Sequence, residues 1–344
     1  MTKLYLLPSI LALKQCRWQL QNVQKRQSQI VQLWQNKLAH IDKLMASYDV
    51  HQSGHFGYTK IIKYELNKWR LIMSSKVILV TGASSGMGFE TAKALAQQGN
   101  KVYGAARRVE KMAALKEYGV TPLKLNITDE ASNKTAIAEI IAKEGRIDVL
   151  VNNAGYGSYG AIEDVDLAEA KRQFDVNLFG LAALTKNVLP YMRAQHSGKI
   201  INVSSMGGRL VSFMGGWYHA TKYAVEAFSD ALRMEVKQFG IDVILIEPGG
   251  IKTDWGHIAA DHLAASAKGG AYEKTALKVA EGMHKQYNGN MMSKPQVVVK
   301  ATVKAVNARR PKPRYLIGFG AKPLVFAHAI LPTRVFDFIM MHAS

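Results

Sequence analysis

The chain has 344 residues, of which 48% are hydrophobic and 21% charged, enough apolar material for a large buried core and too much for a disordered chain. A single cysteine, Cys16, excludes an internal disulfide framework and fits a reducing, cytoplasmic setting, and no Cys/His spacing for a metal is present. The formal charge of +19 raises nucleic acid or an anionic membrane as partners, but the cations are spread along the chain. The nearest cluster is Arg309-Arg310-Pro311-Lys312-Pro313-Arg314, with no interleaved aromatics, so nucleic acid has little support.

Residues 1–72 differ in texture from the rest: eleven Lys/Arg stand against Asp42, Asp49 and Glu65, with a Gln-rich run from Gln15 to Gln35. Three readings stand: an amphipathic helical or disordered extension, a targeting or membrane-surface piece, or an upstream stretch with the start at Met73. The third is favoured, because a nucleotide-binding fold needs only a few residues before its first strand. From Met73 on, strand-like and helix-like segments alternate. The pattern predicts strands at Val77–Val80, Lys101–Ala105, Val120–Asn126, Asp148–Val151, Lys199–Val203 and Asp242–Ile246, and a helix over Met87–Gln98. Such alternation implies an α/β fold: a single doubly wound parallel sheet with helices on both faces, over residues 73–344.

The first strand runs into Thr81-Gly82-Ala83-Ser84-Ser85-Gly86-Met87-Gly88. Glycines there allow a tight strand-to-helix turn, close approach of backbone N–H groups to a pyrophosphate, and packing of the new helix on the sheet. The helix N-terminus then faces the negative charge. Three glycines alone are a weak signal; between a strand and a helix they have the context that a dinucleotide site requires. The second strand ends in Ala105-Ala106-Arg107-Arg108, with no acid to hold a ribose 2′-hydroxyl. A guanidinium matches a 2′-phosphate, so NADP(H) is expected over NAD(H), with Arg107 as the main contact and Arg108 beside the adenine.

Tyr218 and Lys222 in GWYHATKYAV share a helix face by spacing alone, an ordinary surface arrangement. Together with the glycine loop, Asn152-Asn153-Ala154-Gly155, Asn177 in FDVN, and Ser205 in INVSS, the pair resembles the short-chain dehydrogenase/reductase family from about Lys76 onward. Ser205 precedes Tyr218 by the thirteen positions (218 − 205) typical of that family, which selects it over Ser204. Glu247-Pro248-Gly249-Gly250-Ile251-Lys252-Thr253 resembles the family's segment beside the nicotinamide. Within the family, EPGGIKTDW and RYLIGFGAKPLVFAHAILP look most like the hydroxysteroid dehydrogenase-like and retinol dehydrogenase-like branches.

The resemblance implies a Rossmann-type fold and a hydride-transferring oxidoreductase, assembled as a homodimer or homotetramer. It implies catalysis by Asn177, Ser205, Tyr218 and Lys222. It also implies cofactor contacts from Gly82, Ser84, Ser85, Gly86, Met87, Gly88, Arg107, Arg108, Asn126, Ile127, Asn153, Ala154, Gly155, Tyr218, Lys222, Pro248, Gly249, Ile251 and Thr253. Asn126 departs from the pattern, since many members carry an aspartate there, but its amide keeps an acceptor. On these roles Tyr218 donates a proton to the substrate oxygen, Ser205 holds that oxygen, and the Lys222 ammonium lowers the tyrosine's pKa. Asn177 holds a water that links the lysine to solvent.

A non-catalytic NADPH-sensing regulator is the alternative; the intact Asn-Ser-Tyr-Lys set weighs against it, because a sensor needs no proton donor. Tyr156, Tyr159, Met206, Trp217 and Trp255 point to an apolar pocket for a hydrophobic alcohol or ketone. A substrate lid is expected over about 252–295. The apolar tail, about 315–344, is broken by Lys322-Pro323 and Pro332-Thr333-Arg334 and so does not read as a membrane span. It is read as lying on a membrane surface, covering the pocket, or packing on a partner subunit.

Overall fold

The structure is a computed structural model and describes residues 75–342; the expectations for residues 1–72 lie outside the described residues. Seven parallel strands form one sheet in the order β3-β2-β1-β4-β5-β6-β7. In chain order they are β1 (Val77–Thr81), β2 (Lys101–Ala106), β3 (Val120–Lys124), β4 (Val149–Asn152), β5 (Gly198–Val203), β6 (Ile241–Pro248) and β7 (Arg314–Ile317). The six strands read from the sequence are all present, with ends shifted by one to two residues. β7 is the addition: the expected tail begins as an edge strand paired with β6.

Alternation along the strands explains the two-sided core. Ile78, Val80, Val102, Val149, Val151 and Ile244 point to one face, where α1 (Gly86–Ala96) and α8 (Gln296–Asn307) cover them through Leu95, Val298 and Val306. Val77, Leu79, Tyr103, Leu150, Ile200 and Val243 point to the other. That face is covered by α2 (Glu130–Glu144), α4 (Leu181–Ala194) and α5 (Gly216–Val236), through Ile137, Ile140, Val188, Met192 and Leu232.

α3 (Leu167–Phe174) leads into α4 through a π-helical turn, Asp175–Gly180, which carries Asn177. The expected lid is a pair of packed helices, α6 (Trp255–Ser266) and α7 (Glu273–Asn288), with Leu263, Ala276 and Val279 at their junction. Beyond β7, α9 (Ala321–Ile330) and α10 (Thr333–His342) close the described chain. Because β2 and β3 lie on one side of β1 while β4 lies on the other, the strand order reverses between β1 and β4. A ligand crevice forms beside the carboxyl ends of strands at such a point.

Candidate active site

The β1–α1 turn has the backbone that its glycines predict. Gly82 and Gly86 adopt φ of +68° and +55°, where a side chain would be strained. A Cβ on Gly88 would press into the Gly82 carbonyl oxygen and Asn153 Nδ2, so a methyl group would push the helix off the turn. Asn153 Nδ2 donates to the Thr81 carbonyl at 3.0 Å, and Thr81 Oγ1 accepts from the N–H groups of Asn153 and Ala154, both at 3.0 Å. The NNAG segment thus braces the glycine turn from the neighbouring strand. Ser84 is half-buried and Ser85 exposed; Ser85 caps α1 without using its side chain.

Arg107 and Arg108 follow β2 directly and are exposed. Asn126 lies just past β3, its Oδ1 accepting from Thr128 Oγ1 at 3.0 Å, so the acceptor kept by the amide is already engaged once. Ile127 is buried, and its carbonyl is held by Asn133 Nδ2 at 2.9 Å. Collectively, a turn that admits only hydrogen at Gly88, a helix N-terminus and two exposed guanidiniums fit a phosphate-bearing dinucleotide.

α5 holds Tyr218 and Lys222 one turn apart, both 7% exposed. Lys222 Nζ donates to the Val203 carbonyl at 2.9 Å, tying the helix to the end of β5, and lies 5.9 Å from the centre of the Tyr218 ring. Ser205 starts a short 3-10 turn, Met206–Gly208, its Oγ accepting from the Gly207 N–H at 3.0 Å. Its hydroxyl donates to the Pro248 carbonyl at 3.4 Å. Asn177 is 2% exposed: Oδ1 accepts from the Tyr156 N–H at 3.0 Å, while Nδ2 donates to the Tyr156 carbonyl at 2.8 Å and to Thr221 Oγ1 at 3.1 Å. Both amide hydrogens are therefore spent on clamping the loop after β4 to α5, and only the second lone pair of Oδ1 is left for a water.

The electrostatics differ from the expectation in one respect. Burial first, and the neighbouring Tyr159 second, raise the Tyr218 phenol above its ordinary range, with Ser205 opposing. At 5.9 Å from the ring the Lys222 cation does not outweigh the loss of water. Lys222 is itself pushed down to about 8 by burial, with Glu226 opposing through its charge. Tyr218 is thus held protonated, as suits a proton donor.

A cavity of about 780 Å³ opens over this group. Asn153, Gly155, Ser205, Tyr218, Lys222, Pro248, Gly249, Ile251 and Thr253 line it, with Met87 from the first turn of α1. Its other wall is apolar: Leu210, Phe213, Trp255, Met283, Met292 and Phe319. Tyr156, Tyr159, Met206 and Trp255 line it as expected, and the Trp255 ring lies 5.0 Å from that of Tyr218, tilted by 55°. Trp217 does not. Its neighbour Tyr218 points to the cavity, so Trp217 lies in a separate shallow groove with Leu167, Phe174 and Phe179.

Two features escaped the sequence reading. His219 Nε2 accepts from the Ser212 N–H at 3.0 Å, which leaves Nδ1 as the donor to the Gly207 carbonyl at 2.8 Å. Burial lowers its pKa, so this neutral imidazole fixes the loop carrying Ser205 against α5. Behind the site, Glu247 is 0% exposed and pairs with Arg314 of β7 at 2.9 Å; the same guanidinium meets Asp230 at 2.6 Å and Glu226 at 3.2 Å. The adjacency of His219 to Tyr218 was the only available sign of the first. Nothing local announced the second.

A parallel sheet with a phosphate-fitting turn at its switch point, and a phenol, hydroxyl and ammonium around one cavity, defines a dinucleotide-dependent oxidoreductase. The sequence model described as "short chain dehydrogenase" matches residues 76–263, and the chain belongs to that family. A 3-ketodihydrosphingosine reductase of Bacteroides thetaiotaomicron is 44% identical over 181 residues, 53% of this chain and 66% of the relative. An NADPH-dependent 3-dehydrocapnine reductase of Ornithobacterium rhinotracheale is 34% identical over 277 residues, covering 75% and 94% of the two chains. A crystal structure of a short-chain dehydrogenase from Streptomyces avermitilis is 34% identical, with a TM-score of 0.65 over 74% of this chain and 92% of that one.

Proposed function

We propose that this chain is an NADPH-dependent reductase of a lipophilic ketone, with Tyr218 as proton donor. The observation that carries this reading is the largely apolar cavity that Tyr218, Ser205 and Lys222 line together. The glycine turn, Arg107 and the segment from Pro248 to Thr253 would hold the cofactor, which would supply the hydride. Ser205 orients the carbonyl oxygen towards Tyr218, which gives up its proton as negative charge develops on that oxygen. Lys222 stabilises the phenolate left behind and, at a pKa of about 8, can return a proton to it. Asn177 fixes the loop from Gly155 to Tyr156 against α5 and keeps the site's floor rigid.

Arg107 and Arg108, with no acid beside them, support NADPH over NADH. The relatives named as reductases of a 3-keto and a 3-dehydro compound support a lipophilic 3-keto substrate. That reading is favoured over the hydroxysteroid- or retinol-like branch, although the same apolar wall would accept those rings. The test is NADPH consumption by the purified chain with 3-ketodihydrosphingosine, a ketosteroid, retinal and a short aliphatic ketone. The highest kcat/KM is expected with the first; a preference for the steroid or retinal would contradict the substrate assignment, and no turnover of any carbonyl would contradict the activity.

A further inference from the structure

α9 and α10 are apolar on two sides. Their inner faces pack: Val325 and Phe336 sit in a cluster with Leu210, against Leu316, Leu331 and Met340. Their outer faces carry Phe326, Ile330, Val335, Phe338, Ile339 and Met341, with Phe326 66% and Phe338 61% exposed. Six large apolar side chains on twenty residues (ten in each helix) exceed the scatter of single exposed residues normal for a protein surface. Each helix is half the length needed to cross a bilayer, and among the described residues no helix is long and apolar enough to do so.

The charge around this face selects what covers it. The two helices carry Lys322 and Arg334, both exposed, against one acid, Asp337. A second copy of the hairpin would bring the same cations together, whereas an anionic lipid surface complements them. The hairpin also walls the cavity: Phe319, Pro323, Leu324 and Met340 line it, and Phe319 is itself 43% exposed. The same two helices thus carry cavity-lining residues as well as the exposed apolar ones.

We propose that α9 and α10 dock this chain on the surface of an anionic membrane, apolar face in the headgroup boundary, so that the cavity opens towards lipid. That the substrate enters from the bilayer rests on the reading of the chain as a reductase of lipophilic ketones; the docking does not.

The test is flotation of the full-length chain with vesicles of phosphatidylcholine, with and without phosphatidylglycerol. Flotation is expected only with phosphatidylglycerol and should weaken as salt is raised. The double variant Phe326→Ser/Phe338→Ser should lower the partition coefficient at least about tenfold. Lys322→Ser and Arg334→Ser should each lower it about fivefold. Failure of the wild type to float, or flotation of every variant like the wild type, would overturn the proposal. So would a dimer in light scattering that the Phe variant splits while no form binds vesicles. All variants should reduce a short water-soluble ketone in vesicle-free buffer at the wild-type rate, so loss of flotation with intact turnover concerns docking alone, and loss of turnover with intact flotation concerns the reductase reading alone.

Discussion

Lys222 donates from Nζ to the carbonyl oxygen of Val203 at 2.9 Å, one helical turn beyond Tyr218 and 5.9 Å from its ring. This contact fixes the ammonium beside the phenol while holding it out of water. Burial lowers the lysine's pKa to about 8, so it is charged below that pH and neutral above it. If the ammonium stabilises the developing phenolate, kcat/KM for reduction falls as pH rises through about 8. Tyr218 cannot produce that decline, because its own pKa is raised. Lys222→Arg, whose guanidinium stays charged, should remove the decline from whatever activity it keeps. A wild-type profile flat to pH 10 would show that the charge is not used.

Arg107 is exposed at the end of β2, where no acid competes for the ribose. Arg107→Asp removes a charge-assisted contact to a 2′-phosphate and places repulsion there instead. The ratio of kcat/KM for NADPH over NADH should fall by about 10-fold or more. Steady-state kinetics with both cofactors gives that ratio directly, and an unchanged value would move the 2′-phosphate away from Arg107.

Gly88 has no room for a methyl group between the Gly82 carbonyl and Asn153. Gly88→Ala should cost about 1–3 kcal/mol of stability and weaken nucleotide binding, because the brace from Asn153 to Thr81 must shift. Thermal melts with and without NADPH separate the two effects: a lower melting temperature and a smaller upward shift on adding cofactor are both expected.

Glu247 is raised to about 7, by burial first and by the charge of Glu226 second, with Arg209 and Arg314 opposing. Its folded pKa lies above the unfolded value of about 4.3, so the folded state binds more protons between the two. Its contribution to stability is therefore complete below about 4.3 and is lost as pH rises through about 7. Glu247→Gln should flatten the fall in melting temperature across that window. Arg314→Met, which leaves the carboxylates without their cation, should destabilise by about 3–5 kcal/mol at pH 8. Equal melting temperatures for Arg314→Met and wild type would mean that the cluster is solvated and energetically idle.

The fold and site were unequally legible in the sequence. Strands at Val77, Lys101, Val149 and Ile241 announce themselves as apolar runs between turns, because a strand buried on both faces tolerates little else. The glycine turn and the Tyr218–Lys222 spacing are likewise local. β7 gave no such signal: it is four residues at a sheet edge, half-exposed throughout, with Pro313 before it and Gly318 after. The π-helical turn around Asn177 depends on a shift in hydrogen-bond register that leaves no mark on residue spacing. Glu226 and Glu247 lie 88 and 67 positions before Arg314 (314 − 226 and 314 − 247), so only the fold brings them together. The net upward shift of Tyr218 was not legible either, since spacing places two groups on one face but says nothing of how dry that face is.

The central claim is that the Tyr218 hydroxyl delivers the proton. Tyr218→Phe removes that one oxygen and leaves the ring packed against Trp255 and Tyr159. Single-turnover reduction of the preferred ketone, measured alongside the NADPH dissociation constant, isolates the chemical step from binding. The account predicts a rate lowered about 10²–10⁴-fold with NADPH affinity changed by less than about twofold. A variant that reduces the ketone within about tenfold of the wild-type rate would contradict it, and the proton would have to come from another group in the cavity.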